Sequence, residues 1–243
     1  MKYNVTGCEA VKLKNNHILL LHKRGHADNT KDKYEIYNPE KNEFYFTSNT
    51  THAPWASKSA LTLDNKDILV IEGSSYIYKT ENNSFEKINT SLPNGRLMVQ
   101  LDGNSYLNIE PVKNYSYGYV YDIKHNTEIP VKNHINRTWT IGTYPQAVLL
   151  DNGNVLILGI KSKEIDYSKS RKSNKKHDKY SAYIYDKKKN EFYEIPAPPY
   201  PVYSAGIVNL KNGSILIAGG YYRTNSMPVA KSLNKIQIYK YKH

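Results

Sequence analysis

The chain has 243 residues, with 34 Lys and Arg against 22 Asp and Glu, and its formal charge of +12 favours anionic partners. A single cysteine, Cys8, excludes an internal disulfide and any all-cysteine metal site. No apolar run approaches the roughly 18 residues of a membrane span, and Met1 to Gly7 lacks the character of a signal peptide, so the chain as written is read as cytoplasmic.

From the N-terminus, a strand, a tight turn and a second strand recur five times: LKNNHILLLHK at 13–23, LDNKDILVIEG at 63–73, LDGNSYLNIEP at 101–111, LDNGNVLILGI at 150–160 and LKNGSILIAGG at 210–220. The last copy is the sharpest. Its Asn212-Gly213 is read as the pair of φ > 0 residues that turns the hairpin, and its second strand runs into Gly219-Gly220. The copies stand 50, 38, 49 and 60 residues apart, near the period of propeller blades. A third strand follows each hairpin, with a tyrosine at a fixed place: Tyr37, Tyr78, Tyr121, Tyr185 and Tyr239. Five residues beyond the first four stand Asn42, Asn83, Asn126 and Asn190, a residue type that tolerates the left-handed backbone a short turn needs. Phe44, Phe85, Glu128 and Phe192 then open a fourth strand.

The fold class expected is therefore all-β, a five-bladed propeller of four-stranded antiparallel blades in one domain. The blades span about 6–49, 50–92, 93–136, 137–198 and 199–243, with residues 1–5 supplying the missing last strand of blade five. On this expectation Met1 to Val5 lies where NEFYF lies in blade one, which removes open sheet edges.

The pattern LxNGxxLIxGG, followed by an xIY strand and an NxF strand, resembles kelch repeats, as in the propeller domain of galactose oxidase and in bacterial kelch proteins. Blades four and five match it well, while blades one to three depart from it at the double glycine. Such propellers include sugar oxidases, sugar mutarotases and peptide-binding adaptors, so the resemblance implies a fold and leaves the activity open. Galactose oxidase chemistry would require a cysteine crosslinked to a ligand tyrosine plus two histidine ligands, and Cys8 has no such neighbours in sequence.

Strand direction alternates within a blade, so the short turns share one face and the long links the other. Binding residues concentrate on long loops held by a rigid scaffold, which places the expected site on the long-link face. All five arginines, Arg24, Arg96, Arg137, Arg171 and Arg223, fall in those links, and a guanidinium suits bidentate recognition of carboxylate or phosphate. Trp55, Trp139 and Tyr222 fall there too, beside Tyr144, Tyr200, Tyr203 and Tyr221. The ligand-binding set expected is Arg24, Arg96, Arg137, Arg223, Trp55, Trp139 and Tyr222, for an acidic protein, peptide or glycan. The basic stretch Lys161 to Lys179 is read as a hairpin extension or an anion-catching arm.

An enzyme is the competing reading. The position of the first glycine of the pair reads His22, Glu72, Glu110, Gly159 and Gly219 around the blades, so His22, Glu72 and Glu110 could act as acid, base or charge stabiliser in a carbohydrate isomerase or hydrolase. No metal site and no cofactor are expected, and the chain is expected to be a monomer. The sequence holds no recognition helix, zinc motif or aromatic RNA-binding strand motif, which argues against nucleic acid.

Overall fold

The computed structural model describes residues 8–22, 34–48, 59–71, 74–89, 92–93, 97–112, 115–136, 145–161, 180–200, 205–210, 212–222, 231–232 and 234–240. These residues form strands and turns, with no helix among them. The chain divides into two compact units, Met1–Asn94 with Asp102–Ser105, and Gly95–Leu101 with Tyr106–His243.

The first unit holds two blades. Blade one is β1 (Cys8–Lys12), β2 (Ile18–His22), β3 (Glu35–Asn38) and β4 (Glu43–Phe46), hydrogen-bonded in that order. Blade two repeats it with β5 (Ser59–Thr62), β6 (Ile68–Ile71), β7 (Ser75–Lys79) and β8 (Ser84–Ile88). Between them lies a core of Val11, Leu19, Leu21, Tyr34 and Ile36 from one blade and Ile68, Val70, Tyr78 and Phe85 from the other.

Three blades make up the second unit. Blade three is β9 (Leu97–Gln100), β10 (Ser105–Val112), β11 (Tyr115–Asp122) and β12 (Thr127–Pro130). Blade four is β13 (Gln146–Leu149), β14 (Val155–Lys161), β15 (Tyr180–Asp186) and β16 (Glu191–Ile195). In blade five β17 (Gly206–Asn209) and β18 (Ile215–Ala218) continue into a two-stranded ribbon, β19 (Tyr221–Tyr222) and β20 (Lys231–Ser232), before β21 (Ile236–Tyr239) returns beside β18. Blade five thus has three strands among the described residues. Met1 to Val5, the segment expected to complete it, lies outside them.

The repeat of small residues has the mechanical cause expected of it. Asn42, Asn83, Asn126 and Asn190 all take left-handed φ, between 51° and 56°, in the turn from third to fourth strand. That turn sets Tyr37 opposite Phe44, Tyr78 opposite Phe85, Tyr121 opposite Glu128 and Tyr185 opposite Phe192.

The first turn differs from its reading in one respect. Of the Asn212-Gly213 pair in blade five only Gly213 is left-handed (φ 72°), whereas the Asn212 side chain accepts from Ser214 N at 3.0 Å. The loop is longer than a two-residue hairpin: Leu210 N donates to Ser214 O, and Gly213 N to Leu210 O. Blades one, two and four repeat that bonding, with Asn16, Lys66 and Gly153 in the left-handed place and Asn15, Asn65 and Asn152 as side-chain acceptors. An asparagine that closes the turn through its own side chain has no need of positive φ.

Candidate functional site

At the short-turn end many described polar side chains bond to one another within and between blades. Tyr37, Tyr78, Tyr121 and Tyr185 each donate a phenolic hydrogen bond to the Oδ1 of the asparagine five residues on. Two of these asparagines also reach the preceding blade. Asn83 Nδ2 donates to Phe46 O at 3.2 Å and Asn190 Nδ2 to Pro130 O at 3.0 Å, while their carbonyls accept from Ser48 N and Lys132 N. In blade five Tyr239 donates directly to Pro196 O, just past the last strand of blade four. First turns interlock as well: Asn104 Nδ2 donates to Asp64, and Asn209 Nδ2 donates to Asp151 Oδ1 at 2.7 Å. Gly103 is small for this reason, since a Cβ there would stand 1.7 Å from Asp64 Oδ1.

A groove of about 750 Å³ opens at this end of the first unit, lined in part by Lys14, Asn65, Asp67, Lys79, Thr80 and Glu86. Its buried carboxylate, Asp67, already accepts from Lys79 Nζ (3.1 Å), Asn65 Nδ2 (3.0 Å) and Thr80 N (3.3 Å). Those bonds supply the partners a buried carboxylate needs, so the groove's main polar group is committed to the fold.

The long-link end is described best in blade three, and there the strands behave differently. In blades four and five Gly159, Gly219 and Gly220 take φ of 84°, 70° and 95°, which bulges β14 and ends β18. Blade three has Glu110-Pro111 at the corresponding place, and β10 runs through it to Val112. Only residues 113–114 then separate it from β11. That link and the Tyr106–Tyr121 ring contact, 5.3 Å between centroids, set one register: Pro111 beside Ser116, and Glu110 beside Tyr117.

A proline survives in this strand because its missing donor is not missed. Ser116 exchanges both backbone hydrogen bonds with Ile135 on its other side, so it asks nothing of Pro111. On the β9 side the described pairing with β10 ends at Ile109↔Leu97, before Pro111.

Extending the hairpin carries Tyr115 and Tyr117 outward on one face of β11, where they are 38% and 39% exposed, next to Val112 at 48%. His134 packs against both, its ring centroid 4.7 Å from that of Tyr115 and 5.5 Å from that of Tyr117. The opposite face is locked into the core: a Cβ on Gly118 would stand 2.5 Å from Phe192 Cζ and 2.9 Å from Val131 Cγ2. The result is a rigid sheet that presents two tyrosines, an imidazole and a half-buried carboxylate at its end.

Of the residues expected to form the site, Glu110 alone has a described side chain, and it borders this aromatic surface. His22 ends β2 and Tyr222 ends β19, but their side chains lie outside the described residues, as do Glu72, Arg24, Arg96, Arg137, Arg171, Arg223, Trp55 and Trp139. Tyr200 is described; its ring carries Lys235 Nζ 5.2 Å from the centroid, and its backbone N–H donates to Gln237. Sequence reasoning passed over Tyr115, Tyr117 and His134 because they were counted into a strand and a link. The signal available was the alternation YSYGY, which puts tyrosines on one face and small residues on the other.

No family model matches the chain, and no curated protein does. Among solved structures it is similar to a fungal alcohol oxidase of the AA5 family, in complex with copper, with TM-score 0.60 and 12% identity over 91% of this chain and 50% of that one. The chain thus spans about half the length of that oxidase. At this identity the likeness concerns the fold, a five-bladed β-propeller. Among the described residues no group of three or more His, Cys, Asp or Glu comes together.

Proposed function

We propose that this chain is a kelch-like recognition propeller that binds an acidic peptide, protein or glycan through its long-link face. The observation that supports this most is the contrast between the two ends of the blades. Short-turn polar groups bond to one another, whereas the blade-three hairpin projects Tyr115, Tyr117 and His134 into solvent beside Glu110. The net charge of +12 supplies long-range attraction for an anion, and Arg24, Arg96, Arg137 and Arg223, with Trp55, Trp139 and Tyr222, are the further contacts on this reading.

The test is a titration of an acidic ligand panel across salt. Affinity is expected to fall by about tenfold or more between about 50 and about 500 mM salt, as exposed charge pairs are screened. Arg24→Ala, Arg96→Ala and Arg223→Ala should each cost about 2 to 4 kcal/mol where the guanidinium is buried against a ligand carboxylate, and under about 1 kcal/mol where it is a rim charge. Binding insensitive to salt and to alanine at all three positions would overturn the acidic-ligand reading.

A further inference from the structure

We infer that the exposed end of the blade-three hairpin is a saccharide subsite, on which a pyranose ring lies against Tyr115 and Tyr117 while its hydroxyls bond to Glu110 and His134. The inference rests on the recognition reading above and narrows its ligand to a glycan. It starts from ring geometry. Tyr115 and Tyr117 are two residues apart on one strand, so their side chains leave the sheet on the same face about 7 Å apart. Each ring is more than a third exposed, although a tyrosine carries enough apolar surface to make burial favourable. His134 meets Tyr115 at an interplanar angle of 80°, which props the tyrosine by an edge contact.

A sugar ring is the complement of such a surface. One face of a pyranose presents C–H groups with a small positive charge, and the face of a tyrosine ring is negative. The rim of the sugar carries hydroxyls, and Glu110, beside Tyr117 in the register of β10 and β11, is a carboxylate with several acceptor positions. His134 can donate or accept through its ring.

A peptide fits less well, for reasons visible in the same hairpin. Strand addition requires a free edge with donors and acceptors. On the β11 side that edge is taken by Ser116–Ile135 and by Val131 N bonding to Gly118 O, and on the β10 side Pro111 removes a donor.

Three probes separate the sources of binding: a hexasaccharide of alternating uronic acid and N-acetylhexosamine, a neutral gluco-hexasaccharide, and a polyglutamate peptide. Each is titrated by calorimetry against the full chain and against Tyr117→Ala, Tyr117→Phe and Tyr115→Ala, with unfolding midpoints as the control for folding. The expected result is that the uronic hexasaccharide binds, that Tyr117→Ala and Tyr115→Ala weaken it by about tenfold, and that Tyr117→Phe retains it because the ring face remains. Neutral hexasaccharide binding that depends on Tyr117 and ignores salt would support the saccharide subsite while the acidic-ligand reading fails. Polyglutamate binding that depends on Tyr117 would overturn the saccharide assignment in favour of peptide. Acidic-probe binding indifferent to all three substitutions, or no saccharide binding at all, would overturn it as well.

Discussion

Asn190 shows how much a single turn residue carries. Its backbone is left-handed (φ 56°), its Oδ1 accepts from Tyr185 at 3.0 Å, its Nδ2 donates to Pro130 O in the preceding blade, and its carbonyl accepts from Lys132 N. These roles separate by substitution. Asn190→Gly keeps the backbone conformation and loses both side-chain bonds, for an expected cost of about 1 to 2 kcal/mol. Asn190→Ala loses the same bonds and adds the left-handed penalty, about 1 kcal/mol more. Tyr185→Phe removes one bond, for about 1 kcal/mol, and Tyr185→Phe combined with Asn190→Gly should cost less than the sum, because the two changes share that bond. Urea unfolding of the four variants checks this; equal stability for the alanine and glycine forms would mean that backbone conformation contributes nothing here.

At the scale of the element, the blade-three hairpin is held by one small residue. Gly118 is buried with Phe192 and Val131 against the place a Cβ would occupy, so Gly118→Ala must push the blade-three and blade-four strands apart or force side chains off their rotamers. The expected cost is about 1 to 3 kcal/mol in chemical denaturation. Exposed Tyr117, one residue away, should tolerate alanine with no such loss. A Gly118→Ala variant as stable as the parent would show that the packing there has slack. The tyrosine, asparagine and phenylalanine places were legible in the sequence because each is dictated locally, by φ and by cross-strand pairing. The extension of β10 was not. Its Glu110-Pro111 reads as a departure from the glycine pair, and a proline in a strand argues for a break unless the hydrogen bonds around it are known. The ribbon of β19 and β20 was read as loop for a similar cause, since its paired stretches, Tyr221–Tyr222 and Lys231–Ser232, are too short to show alternation. Of the candidate surface, Glu110 was singled out in the sequence, while Tyr115, Tyr117 and His134 were not, because their exposure depended on how far a hairpin extends.

For the molecule as a whole, the abundance of tyrosine, 23 residues against 4 phenylalanines, makes stability depend on alkaline pH. Burial raises the phenols of Tyr78, Tyr106, Tyr121, Tyr185 and Tyr239 above their ordinary range, and Tyr185, also beside Asp186, is pushed up to about 12 from an ordinary 10.0. Since the folded chain holds these protons more tightly than the unfolded chain, it binds more of them once pH passes 10. Stability is therefore intact below about pH 10 and falls as pH rises towards about 12, through tyrosines that belong to both units. Deprotonation would also remove the donor from each tyrosine–asparagine bond and set a phenolate against a carbonyl oxygen, which links titration to loss of blade contacts. Phenolate absorbance and β-sheet circular dichroism followed over the same alkaline titration should change together and abruptly. Tyr185→Phe should make the decline of stability with pH shallower in that window, because one of the groups responsible is gone. If the phenols instead ionise gradually near pH 10 while the sheet signal is unchanged, the tyrosine hydroxyls do not couple protonation to the fold.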